Sequence, residues 1–135
     1  MGNKGQSLVE LALSFVVLML LIVGATEFGI IFSQKTQLQD AAQEGAVYGS
    51  MCPNDTVSIE DRVRNNSESP LNLLRPDVVV SINRGATTIE VVVSYNHKIF
   101  MPFLSRMLGR EFIQIQGRMV NVILRSEERR VGKEC

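Results

Sequence analysis

Two carboxylates draw attention by position. Glu10 and Glu27 bracket the uncharged run Leu11–Thr26 (LALSFVVLMLLIVGAT). An acid just inside such an apolar boundary is costly unless a cation meets it, so Glu10 either finds a positive partner or is an interfacial acid near a helix N-terminus, favoured by the macrodipole alone. Glu27 reads at least as well as a plain interfacial acid as it does as a specific contact. Other chemistry is sparse. His97 is the single histidine, with no second His and no Cys at ligand spacing, so a zinc site is not expected. There is no Gly-rich phosphate loop, nucleophile motif or paired-carboxylate constellation, and the expectation is a protein without catalytic residues, cofactor or metal. Cys52 reads foremost as a small packed residue. An intermolecular bridge in an oxidising compartment is the alternative.

The elements that must position these residues follow from patterning. At 135 residues the chain has room for one domain, and 14 basic and 14 acidic side chains cancel, which leaves no electrostatic case for nucleic acid. The apolar residues are concentrated in the run between the two acids. At about 1.5 Å per residue Glu10 and Glu27 stand roughly 25 Å apart along a helix. A helix from about Leu8 to Phe32 therefore crosses a hydrocarbon core of roughly 30 Å with both acids near its interfaces. This spares them most of the roughly 3 kcal/mol charged for an acid at the bilayer centre. Lys4 and the α-amino group precede the span, which predicts a cytoplasmic N-terminus and an extracytoplasmic remainder. A cleaved signal peptide with a cut near Ala25 is the rival. Against it, Glu10 interrupts the apolar region and helical periodicity continues past Ala25. From Ser33 to Ser50, Leu38, Ala41, Ala42, Gly45 and Ala46 recur at three and four, an amphipathic continuation of the same helix. Its small-residue stripe can pack on a sheet or on other helices, and Gly49, Ser50 and Pro53 are expected to end it.

Before the span stand Met1-Gly2-Asn3-Lys4-Gly5 and then Gln6-Ser7-Leu8-Val9-Glu10. A short basic leader, a glycine, four residues, an acid and a long apolar helix together resemble the type IV prepilin processing site. The resemblance implies cleavage after Gly5 by a prepilin peptidase, with Gln6 opening the mature chain and Glu10 as its fifth residue. Many pilins begin with Phe at that point. The new α-amino group on a neighbouring subunit is then the cation that Glu10 needs. Further along, Gly24-Ala25-Thr26-Glu27-Phe28-Gly29 and Ala41-Ala42-Gln43-Glu44-Gly45-Ala46 extend the resemblance to the TadE-like pseudopilins of tight-adherence (Flp) pilus systems. That family implies a minor pilin acting in pilus assembly at the bacterial inner membrane, without enzymatic activity. Its partners are the prepilin peptidase, other pilin or pseudopilin subunits, the inner-membrane assembly platform and membrane lipid. Gly24 and Gly29 are candidate positions for close helix approach, although a spacing of five makes no small-xxx-small stripe. A single-span protein that never assembles, with a sensor or ligand-binding domain outside, is the alternative from another class.

Beyond the helix, Pro53 to Pro76 is rich in Asn, Ser, Asp and Pro and reads as a surface connection, with one short helix over Val57–Arg64 capped by Asp55 or Thr56. Two sequons, at Asn54 and Asn65, are read as chance matches. Strands are predicted at Asp77–Asn83 and at Thr87–Tyr95, where Ile89, Val91, Val93 and Tyr95 share a face, with a hairpin turn over Asn83–Ala86. A third strand, Phe112–Leu124, places apolar residues first on odd positions (Ile113, Ile115) and then on even ones (Val120, Val122, Leu124). Gly117 at the switch suggests a β-bulge. The apolar stretch Phe100–Leu104 with Met107 and Leu108 reads as a flap over one sheet face, or else as a partner surface. The last eleven residues, Arg125–Cys135 (RSEERRVGKEC), resemble translated sequencing-adapter read-through and are set aside, which leaves Cys52 without an intramolecular partner. The expected architecture is α+β and pilin-like: leader 1–5, transmembrane and amphipathic helix 6–50, an extracytoplasmic α+β domain with a small antiparallel sheet over 51–124, and the artefact tail 125–135.

Overall fold

The structure, a computed structural model, describes residues 3–65 and 71–124. The tail from Arg125 on and the second half of the Asn65 sequon lie outside the described residues. Helix α1 runs from Asn3 to Met51, 49 residues without a proline, or about 73 Å. It passes Gly49 and Ser50, where the sequence suggested an end. Ser50 Oγ donates to the Val47 carbonyl at 2.7 Å and Cys52 N–H still reaches the Tyr48 carbonyl at 2.9 Å. Pro53, which lacks an N–H and disfavours helical geometry in the residue before it, is the effective stop. Helix α2 follows (Thr56–Arg64), then strands β1 (Val78–Arg84) and β2 (Thr88–Lys98), helix α3 (Pro102–Leu108) and strand β3 (Phe112–Val122).

Helix α2 begins as its N-terminal signal requires: Asp55 caps it and accepts the Ser58 N–H at 3.1 Å. Its segment is more than a surface connection, because Ile59, Val63, Leu71 and Leu73 are all buried in the core. The polar letters of this stretch concealed four apolar positions that pack inward. The strands form one antiparallel sheet in the order β1-β2-β3. Gly85 N–H donating to the Thr88 carbonyl at 2.8 Å closes the β1–β2 hairpin. As the alternation predicts, Ile89, Val91, Val93 and Tyr95 point to one face, and all are buried.

Helix α1 lies across that face. Leu38, Ala41, Ala42 and Ala46 are fully buried against the sheet and α2, so the small-residue stripe serves the chain's own core. Small side chains let the helix axis approach closely, and Gly117 carries this furthest. A Cβ there would fall on the backbone of Leu38 and Gln39. The predicted β-bulge is absent. The β2–β3 register runs unbroken through Val93↔Gly117 and Val91↔Met119, and the odd positions keep facing the helix to the end of the strand. Val120 and Val122 are apolar residues on the opposite, exposed face rather than signs of a phase change. Gln39 secures the contact, accepting the Arg118 N–H at 3.2 Å and donating to the Arg118 carbonyl at 2.8 Å. This occupies backbone groups of an edge strand that would otherwise be free to pair with another chain.

Candidate functional site

The two halves of α1 differ in what covers them. From Gly24 onward a stripe at intervals of three and four faces the domain: Gly24, Glu27, Ile31, Gln34, Leu38, Ala41, Gly45 and Gly49 are buried or half-buried. Before Gly24 no described residue covers the helix. From Leu8 to Val23 every residue is exposed, and none of the apolar window is buried within the molecule. A helix apolar all round has to find an apolar environment elsewhere, and this one is long and apolar enough to cross a membrane or to act as a signal segment. Glu10 stands in the uncovered half. Its side chain is exposed, with no hydrogen bond or ion pair among the described residues. Gly5 and Gln6 lie near the helix start, exposed, and a Cβ on Gly5 would meet open space.

Glu27 sits where the two halves meet and makes a specific contact. It is only 5% exposed. Its Oε1 lies 3.1 Å from His97 Nε2 and accepts the Phe100 backbone N–H at 3.0 Å. With the Glu27 oxygen as acceptor, the contact takes the ring tautomer that has its proton on Nε2. The acid at the end of the apolar run is therefore met by two donors from the far end of β2 and the loop after it. Gly24, one turn closer to the N-terminus, lies beside Met101, whose Cε is 3.9 Å from where a Cβ would be. Gly29 meets nothing within 4 Å, so it serves no close approach among the described residues.

Sequence reasoning passed over His97 as a partner for Glu27. The signal was present: His97 continues the odd-numbered core face of Ile89, Val91, Val93 and Tyr95, and a polar side chain on a core face needs a polar partner. Which partner, 70 residues away, was not readable. Cys52 is buried and disulfide-bonded, not the unpaired thiol expected. Among the described residues no group of three or more His, Cys, Asp or Glu could hold a metal ion.

The apolar stretch after β2 also differs from expectation. It is no flap over the sheet. Pro102 opens the short helix α3 and Gly109, in the left-handed conformation at φ 63°, ends it, with no residue of the helix buried. Phe100 is 89% exposed, and Phe103 and Met107 about two-thirds exposed. β2 and β3 pair as far as Lys98↔Phe112, and the residues between them extend past the end of the sheet.

Residues 5–47 match the family model described as TadE-like protein. The match covers α1 from its start almost to its end and stops before α2 and the sheet, so it assigns that region to the family. No curated protein and no solved structure matches the chain.

Proposed function

We propose that this protein is a TadE-like pseudopilin, a minor pilin that acts in assembling a tight-adherence (Flp) pilus after a prepilin peptidase cuts behind Gly5. The observation that carries the reading is the division of α1 within the region that matches the family. One half packs along its own domain, and the other is apolar, uncovered by any described residue, and bears an acid without a partner among the described residues. In the inner membrane the bare half spans the bilayer with its N-terminus cytoplasmic and residues 51–124 outside. Cleavage leaves a new α-amino group on Gln6. Glu10 of a neighbouring subunit pairs with it, which gives a carboxylate at the apolar boundary its cation. Helices then exchange lipid contacts for contacts with each other. In this reading the domain presents the pilin-like sheet to partner subunits and the assembly platform, and the chain performs no catalysis.

The N-terminal mass of the membrane-extracted protein, with and without the peptidase, tests this. A peptidase-dependent start at Gln6 is expected. An intact start in both strains would support the non-assembling single-span protein instead, and a cut near Ala25 would mean a secreted domain. Gly5→Val should block cleavage. Glu10→Val should permit cleavage yet impair piliation, and normal piliation in that strain would sink the assembly role.

A further inference from the structure

The register of the sheet along α1 defines a membrane-proximal end of the domain. Gly49 packs at Ile89, Gly45 at Val91, Glu27 at His97 and Gly24 at Met101. Strand β2 therefore runs antiparallel to α1, from its polar end back to the apolar run. The residues after β2 lie deepest. Counting about 20 residues for a hydrocarbon core from Leu8 puts its outer edge near Phe28. Met101, beside Gly24, lies at or slightly inside that edge. The turn at the other end of the sheet, Arg84-Gly85-Ala86-Thr87, is exposed and nearly devoid of apolar side chains. The end at Gly24 has the opposite character, with Phe100, Phe103, Met107 and Leu108 exposed together. Phe103 and Met107, four apart, share one face of α3. Arg106 and Arg110 flank them, exposed and in no ion pair among the described residues.

We propose that residues 100–108 are a second membrane-contact element, which seats its apolar side chains in the outer leaflet beside the point where α1 leaves it. The occupant of this surface is lipid, because the patch continues the bare apolar surface of α1 at the same depth. Its basic flank also matches phosphate headgroups, the composition of an interfacial segment. The Glu27 contact with His97 and Phe100 N–H is the clamp that holds the element at this level. The second contact fixes the tilt of the domain over the bilayer, which a single helix crossing leaves free.

This inference rests on α1 spanning the membrane, and one experiment separates the two. The chain contains no tryptophan, so single Trp substitutions in the full-length protein, reconstituted in phosphatidylglycerol/phosphatidylethanolamine vesicles, report depth without background. Phe103→Trp is expected to emit at shorter wavelength than Ala86→Trp at the opposite turn. Lipids brominated high on the acyl chain should quench it, and aqueous iodide should quench it several-fold less than at position 86. Phe15→Trp, mid-span, should be quenched by deep-brominated lipid. If position 15 responds to bromolipid while position 103 is quenched by iodide as freely as position 86, the span stands and the second contact is refuted. If position 103 is shielded from both quenchers, a second copy of the chain covers the patch, and the lipid assignment is equally refuted. If position 15 does not respond, the span fails and the inference falls with it. Both Phe positions are exposed, so the substitutions leave the core intact.

Discussion

Replacing Gly117 by alanine tests the packing on which this architecture depends. One methyl group is added, and in an ordinary strand Gly→Ala is neutral or mildly stabilising. Here the new Cβ meets the carbonyl carbon and oxygen of Leu38 and the nitrogen of Gln39. These are backbone atoms of a helix and cannot rotate away, so α1 has to lift from β3. Overpacking of this kind costs about 1–3 kcal/mol. Lifting also breaks both Gln39–Arg118 hydrogen bonds, at about 0.5–1.5 kcal/mol each. The sum is about 2–6 kcal/mol, a large share of what a domain of this size has in total. Thermal unfolding of the full chain in detergent micelles, followed by far-UV circular dichroism, should show the midpoint fall by about 8 °C or more. The internal control is Gly29→Ala, where a Cβ meets nothing within 4 Å. An interior helical position gains about 0.5–1 kcal/mol from that exchange, so its midpoint should hold or rise. A Gly117→Ala protein that melts with wild type, or two variants that shift alike, would refute the close approach.

Other perturbations separate the remaining contacts. Glu27→Gln keeps an acceptor for Phe100 N–H and should cost at most about 1.5 kcal/mol, whereas His97→Ala strips a buried carboxyl of one donor and should cost about 1–3 kcal/mol or more; the reverse order in thermal midpoints would contradict the geometry at Glu27. Gly49→Ala should be milder than Gly117→Ala, since its Cβ meets Ile89 Cδ1 at 2.7 Å, the end of a side chain that can change rotamer; equal losses in melting would count against that ranking. Asp55 is held below its ordinary value of 3.8 by the Ser58 side chain and the Ser58 N–H. Its folded value is the lower one, so its contribution to α2 is complete above the ordinary carboxyl range and fades as pH falls through the lowered value. In pH-dependent melting Asp55→Asn, which retains a capping side chain, should lose this acid-range dependence, and an unchanged profile would show that the cap does not titrate with folding.

Local signals told the elements of this fold apart before any contact was known. The uncharged run between Glu10 and Glu27 is a property of consecutive residues, and so is the alternation at Ile89, Val91, Val93 and Tyr95. The Asp55 cap needs only a side chain three positions from an amide. Such features appear in the order of letters because their physics is short-range. Tertiary structure decided what the letters left ambiguous. A glycine within a strand signals either a bulge or a close approach. At Gly117 only the passage of Leu38 overhead selects the second, because 79 positions separate the two. His97 was legible as a polar residue on a core face, but its partner Glu27 depends on β2 running antiparallel along α1. The apolar letters from Phe100 to Leu108 implied burial. The sheet ends at Lys98 and Phe112, and most of these side chains, lying beyond it, stay exposed among the described residues. The sequence by itself determined α1, α2 and the three strands, because those preferences are set within a few residues, whereas α3 was legible only as an apolar connection. Only the packing of α1 on the sheet decided which half of the helix is covered, which acid is satisfied and which apolar surface is left bare.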